Sequence, residues 1–318
     1  MTKTPVPPDA AEIDDYDAII VGAGPAGLTA ATYLGRFRRK VLILDGGRPR
    51  ADWIPESHNT PGFPGGVGGR QLLADMDRQA KLYGAERIGA RAQSLSRTAE
   101  HFEVTLETAR GDLAGARARV RARFVLLATG VVDRLPDLDG MEAAIGAAKV
   151  RMCPICDAYE AIDQAIAVLG EGDLGAREAA FLRTYSPRVT LLHLGDPAML
   201  TDRQALDEHG VEVMPITLAD LTVGPETVTV ASSDQAPRRF DCLYLALGCE
   251  MQTGLATAWG AARDDDGNLI VSAHQETSID GLYAAGDVVR GLNQIAVAAA
   301  EAAIAATDIH KRLRALSR

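Results

Sequence analysis

Short apolar runs, each ending at a glycine cluster and followed by a longer amphipathic segment, recur along the chain. Residues 17–21 (D-A-I-I-V) form such a run, Gly22, Gly24, Ala26 and Gly27 fall in the G-x-G-x-x-G turn that follows, and a helical segment continues to Arg36. Val41–Leu44 is the next apolar run, and Asp45 ends it. The order then repeats: an apolar run at 165–169, a second turn with Gly170, Gly172 and Gly175, a helical segment at 176–184, and a further run at 188–192. Short apolar strands alternating with helices predict an α/β fold built on parallel sheets.

Two later segments complicate a simple tandem. Residues 124–128 read as a buried strand ending at Thr129 and Gly130, and 281–285 read as another, followed by Gly286 and Asp287. The last lies far beyond the second glycine turn, as though one domain were interrupted by another. Turn-rich stretches at 131–136 and 247–254 mark the crossings. The expectation is two doubly wound, Rossmann-like three-layer domains, one discontinuous (1–132 with 250–318) and one inserted (133–249). The alanine-rich tail at 295–309 is broken by Glu301 and Asp308 and reads as a packed helix.

Each glycine turn has a physical reading. Strand, glycine turn and helix allow close approach of a pyrophosphate to the helix N-terminus, and an acid about 20 residues on meets a ribose hydroxyl. The first turn has all these parts, with Asp45 as the acid. The second turn carries Glu171 inside the loop, and a negative charge there opposes phosphate, so a turn that binds nothing stays open as a reading.

A chain of 318 residues is long enough for two cores, and 47% hydrophobic with 24% charged residues is ordinary globular composition. The formal net charge of -10 disfavours a nucleic-acid partner, and the basic cluster at 36–40 falls where a helix would end. The N-terminus is acidic and proline-rich without a signal-like apolar run, and nothing approaches the roughly 18 apolar residues of a membrane span. A soluble, cytoplasmic protein of a reducing compartment is expected.

Four cysteines are present. Cys153 and Cys156 form a C-x-x-C with Asp157 immediately behind, a spacing that lets one thiolate form readily and the other resolve it. A zinc site would require about four ligands. Cys242 and Cys249 are isolated and no His pair has ligand spacing, so no metal is expected. A buried pair of cysteines is the plain alternative. Redox chemistry is the working reading.

Taken together, GAGPAG at 22–27, HNTPG at 58–62, ATG at 128–130, CPICD at 153–157, GEGDLGAREA at 170–179, and AAGDV with NQIA within 284–296 resemble the low-molecular-weight thioredoxin reductases. The resemblance covers nearly the whole chain. It implies an FAD domain split by an inserted pyridine-nucleotide-type domain carrying the dithiol, and a homodimer. FAD would be met by Gly22, Gly24, Ala26, Gly27, Asp45, Asn59, Thr129, Gly130, Gly286, Asp287, Gln294 and Ile295, and the second nucleotide by Gly170, Gly172 and Gly175. Cys156 would face the flavin, Cys153 would attack an external disulfide, and Asp157 would donate and accept the proton. His58 has no clear counterpart.

The departures concern the electron source. NADPH-dependent members carry His-Arg-Arg after the insert's second strand, whereas this chain has His193, Leu194 and Gly195, with Asp196 arriving late. NADPH, NADH and reduced ferredoxin all stand as candidate donors. Ala158, Tyr159 and Glu160 resemble the Gly-Tyr-Glu of dithiol oxidases, which carry His in place of Asp157. The expected function is therefore electron transfer through flavin and the Cys153/Cys156 pair to a thioredoxin-like protein or a small disulfide. A dithiol oxidase using oxygen and a non-catalytic flavin sensor are the alternatives.

Overall fold

The computed structural model of the protein describes residues 14–108, 118–201, 203–231, 236–289 and 291–316, so the first 13 residues of the acidic N-terminal stretch read above lie outside the described residues. The chain divides into two compact units: Met1–Ala51, Leu72–Val131 and Met251–Arg318 form one, and Asp52–Gln71 with Val132–Glu250 form the other. Residues 52–71, read from the sequence as part of the first domain, group with the second unit. The reason is packing, since Trp53 lies against a core cluster of that unit and Asn59 reaches the Ile155 carbonyl. The crossings read as turn-rich hinges contain short strands, Val131–Asp133 and Cys249–Met251.

In the first unit Asp14–Val21 pairs in parallel with Val41–Leu44 on one side and with Arg119–Leu127 on the other. Ile19, Val21, Leu42, Leu44, Val125 and Leu127 share one core cluster, and the intervening Ala18, Ile20, Ile43 and Leu126 are equally buried. Strands covered on both faces read as unbroken apolar runs, which is why these segments were visible in the sequence. Arg119–Leu127 then changes partner along its length. Its first half pairs antiparallel with Phe102–Thr108, and its last residues pair in parallel with Leu282–Ala284. The Pro25–Arg36 helix buries small residues, Ala26, Ala30 and Ala31 among them, and packs on the Ile295–Leu316 helix, while Gly27 and Gly35 leave room for Gly22 and Tyr83.

The second unit has a parallel sheet in the order Glu212–Ile216, Val189–Leu194, Ile166–Gly170, Cys242–Ala246, Val150–Arg151. Alternate residues again divide between two clusters. Ala167, Leu169, Leu243 and Leu245 fill one, while Ile166, Val168, Cys242, Tyr244 and Ala246 fill the other together with Ala158 and Ala161. That second face is the one on which the segment after the dithiol lies. An antiparallel sheet of Leu221–Val223, Val228–Val230 and Arg238–Phe240 completes the unit. Among the described residues no helix is long and apolar enough to cross a membrane.

Candidate active site

Cys153 and Cys156 are joined as a disulfide with their Cα atoms 5.3 Å apart. Pro154–Asp157 forms a single helical turn with Cys153 as its extended N-cap and Pro154 at the first position, where a missing N–H leaves no bond unmade. The Cys156 amide donates to the Cys153 carbonyl at 2.9 Å, closing the turn that brings the two sulfurs together. Ile155, between the cysteines, is 52% exposed, and Tyr159 just beyond is 73% exposed.

Asp157 is held from two directions. The hydroxyl of Tyr244 donates to its Oδ1 at 2.9 Å, and Arg151 Nη1 lies 3.5 Å from its Oδ2 while donating to its backbone carbonyl at 2.8 Å. Burial raises the pKa of the carboxyl above the ordinary Asp range, with Arg151 and then Tyr244 pulling the other way. Burial also works against the Arg151 charge, but Asp157, Tyr244 and Cys242 outweigh it and the guanidinium is held firmly charged. Cys242, on the same strand as Tyr244, is buried, and burial pushes its thiol up to about 11, so it stays protonated and inert. A carboxyl whose proton affinity is raised, next in sequence to a redox sulfur, is placed to give and take a proton there.

The first glycine turn is built for close approach. A Cβ on Gly22 would fall 2.2 Å from the Ala128 carbonyl oxygen, and one on Gly27 would fall 1.9 Å from the Gly22 oxygen. Gly24 caps the Pro25–Arg36 helix without any side-chain hydrogen bond, and the first turn holds no acid. This positive helix end fits the diphosphate of a dinucleotide. Asp45 accepts from the Gly47 amide at 3.2 Å and from Arg87 at 2.6 Å, a carboxylate with lone pairs still to offer.

The other residues singled out from the sequence fall in several places. Thr129 donates its hydroxyl to the Gln252 carbonyl at 2.6 Å, and the Gln252 amide returns a bond to Gly130. The Gly286 amide donates to Glu301 Oε2 at 2.8 Å, and Asp287 pairs with Arg50 at 3.1 Å. Gln294 immediately precedes the Ile295–Leu316 helix, which Ile295 begins. In the second unit, Asn59 Nδ2 donates to the Ile155 carbonyl at 3.5 Å, so the HNTPG loop lies against the dithiol turn. His58 is occupied by Glu56 at 3.1 Å.

The second glycine turn differs in electrostatics. Glu171 is the N-cap of the Gly172–Leu182 helix and Asp173 lies in its first turn. Asp173 accepts from the Thr201 hydroxyl and amide, which hold its pKa low and keep it anionic. The Glu171 Oε1 lies 3.7 Å from where a side chain on Gly195 would begin. The Gly172 amide donates to Nε2 of the buried His193 at 3.1 Å. Two carboxylates thus sit at the helix end where a dinucleotide diphosphate would bind.

Arg151, Tyr244, Arg50, Arg87 and Glu301 were not found from the sequence. Arg151 stands two residues before the C-x-x-C, a weak signal. Tyr244 belongs to an apolar strand, C-L-Y-L-A, and carries no signal at all.

A disulfide backed by a partly buried carboxyl, in a chain of two nucleotide-type α/β units, defines a thioredoxin reductase-like flavoprotein disulfide oxidoreductase. The pyridine nucleotide-disulphide oxidoreductase pattern matches residues 16–302, and the chain belongs to that family. It is 29% identical to a thioredoxin reductase of Peptoclostridium acidaminophilum, over 94% of this chain and 98% of that one. It is 32% identical to a thioredoxin reductase of Streptomyces clavuligerus, over 96% of each. Among solved structures, the thioredoxin reductase of Streptococcus pyogenes MGAS5005 superposes with a TM-score of 0.82 at 26% identity, covering 95% of this chain and 99% of that one.

Proposed function

We propose that the protein uses FAD and its Cys153/Cys156 pair to exchange two electrons with a thioredoxin-like protein or a small disulfide, and that NADPH is not its efficient donor. The observation that carries the reading is the closed C-x-x-C disulfide followed directly by an anchored carboxyl. An uncapped, acid-free first dinucleotide turn supports the cofactor. Gly22, Gly24, Ala26 and Gly27 would hold the diphosphate and Asp45 a ribose hydroxyl. Asn59, Thr129, Gly130, Gly286, Asp287, Gln294 and Ile295 would complete the site. Bound FAD supplies the two-electron couple that opens or re-forms the disulfide. Cys153 attacks the external disulfide, Cys156 resolves the mixed disulfide, and Asp157 moves the proton.

The protein is expected to purify yellow with one FAD per chain. Stoichiometric FMN or colourless protein would overturn this assignment.

The donor follows from the second turn. Charge-assisted bonds from a paired Arg to a 2′-phosphate contribute about 1.5–3 kcal/mol each. Losing the pair therefore weakens NADPH by about 10²–10⁴-fold. Leu194 and Gly195 replace nothing, and Glu171 adds repulsion beside Gly195. Anaerobic titration with NADPH, NADH and reduced ferredoxin, followed by flavin bleaching, is the test. The two nucleotides are expected to act equally poorly. Rapid bleaching by micromolar NADPH would show that other basic residues bind its phosphate.

The acidic second turn also favours one alternative, a dithiol oxidase that needs no nucleotide donor. Oxygen consumption with a simple dithiol, against anaerobic reduction of a disulfide, separates the two directions.

A further inference from the structure

Arg151 and Tyr244 are register partners across the parallel pair formed by Val150–Arg151 and Cys242–Ala246. From adjacent strands they converge on one side chain. Tyr244, wholly buried, donates to Asp157 Oδ1, and Arg151 approaches Oδ2 with a side chain only 10% exposed. Arg151 is itself fixed, because Nε donates to the Ala148 carbonyl at 3.1 Å and Nη1 to the Asp157 carbonyl at 2.8 Å. The guanidinium lies 6.0 Å from the centre of the Tyr244 ring. Neither carboxylate oxygen is left to choose its own orientation.

We propose that Arg151 and Tyr244 are positioning residues for proton transfer at the dithiol, fixing the Asp157 carboxyl and setting the pH range in which it exchanges its proton. The inference rests on the reading of Asp157 as the proton carrier. The groups acting on this carboxyl are Arg151, Tyr244 and Glu160, with the neutral Cys242 thiol beside them. Arg151 and Tyr244 favour its anion, and burial and Glu160 oppose it.

The step they serve balances as follows. The Cys153 thiolate attacks the external disulfide, one S–S bond forms and one breaks, and the released thiolate takes the proton of Asp157. The Asp157 carboxylate then takes the proton of the Cys156 thiol. The resulting thiolate closes the Cys153–Cys156 disulfide and expels the second substrate thiolate. Two electrons pass from the cysteine pair to the substrate disulfide, and none passes through Arg151 or Tyr244.

Removing an opposite charge or a hydrogen bond to the anion raises a carboxyl pKa. The test compares holoprotein with Arg151→Met, Arg151→Lys and Tyr244→Phe. It uses ¹³C-carboxyl NMR titration of Asp157, assigned by loss of its signal in Asp157→Asn, together with the pH profile of exchange with a small disulfide. Arg151→Met should move both upward by about one pH unit or more. Arg151→Lys should return most of the shift, and Tyr244→Phe should shift both in the same direction. An unmoved titration in Tyr244→Phe together with an unmoved or unfolded Arg151→Met would overturn the proposal. Wild-type exchange by Asp157→Asn at every pH would instead overturn the reading of Asp157, while the carboxyl titration would still judge the anchoring.

Discussion

Replacing either cysteine of the pair is expected to lower turnover by about 10³-fold or more, because a dithiol acts as a unit and neither sulfur can complete exchange alone. The two replacements should nevertheless leave different products. In reduced Cys156→Ser protein, Cys153 can still attack an aromatic disulfide such as 5,5′-dithiobis(2-nitrobenzoate), but no neighbouring thiol resolves the adduct. Mass spectrometry should find one thionitrobenzoate retained at Cys153. Wild-type protein should release two equivalents and retain none, because closure of the 153–156 turn outcompetes any external thiol. Reduced Cys153→Ser should react slowly. A stable adduct on Cys156 in that variant, with Cys156→Ser inert, would invert the two roles.

Gly22→Ala should be among the most damaging single substitutions in the first unit. At φ +114° the backbone is one that L-residues rarely adopt, and the added methyl would meet the Ala128 carbonyl oxygen at 2.2 Å. Gly22 and Ala128 directly follow the paired strands Asp14–Val21 and Arg119–Leu127, and the oxygen belongs to the backbone, so no side-chain rotation relieves the clash. A loss of about 3 kcal/mol or more in stability is expected, with little or no FAD retained after gel filtration. Gly172→Ala in the second turn is the control. It has φ +57° but nothing within 4 Å of the new methyl, so a cost of about 1–2 kcal/mol and unchanged flavin content are expected. Equal flavin loss in both variants would overturn the assignment of the flavin to the first turn.

Both glycine turns and the dithiol were legible because their information is local. A strand covered on both faces announces itself as an apolar run, and a turn that must close on its neighbour announces itself as glycine. The anchoring of Asp157 was not legible, because Tyr244 is separated from it by 87 residues and sits in a strand whose apolar neighbours conceal a polar purpose. The allegiance of 52–71 was hidden for a related reason. Its apolar anchor Trp53 finds its partners in a core assembled from strands far along the chain. The antiparallel strands Ala90–Arg97 and Phe102–Thr108 passed unread because their exposed positions carry Arg, Ser, Glu and Thr, which dilute the apolar signal.

The partner change along Arg119–Leu127 has a consequence for biosynthesis. Its last residues wait for Leu282–Ala284, which the ribosome delivers only after every residue of the second unit. At about 5–20 residues per second, the dithiol-bearing unit has its complete sequence several seconds before the first unit can pair that strand edge. An open edge is a template for association with other chains, so the nascent protein is most vulnerable during this interval. Gly286, Asp287 and the Ile295–Leu316 helix emerge later still. With Gly286 and Asp287 in the proposed flavin site, capture of the dinucleotide would be a closing event in the making of this chain, after the whole dithiol-bearing unit has emerged.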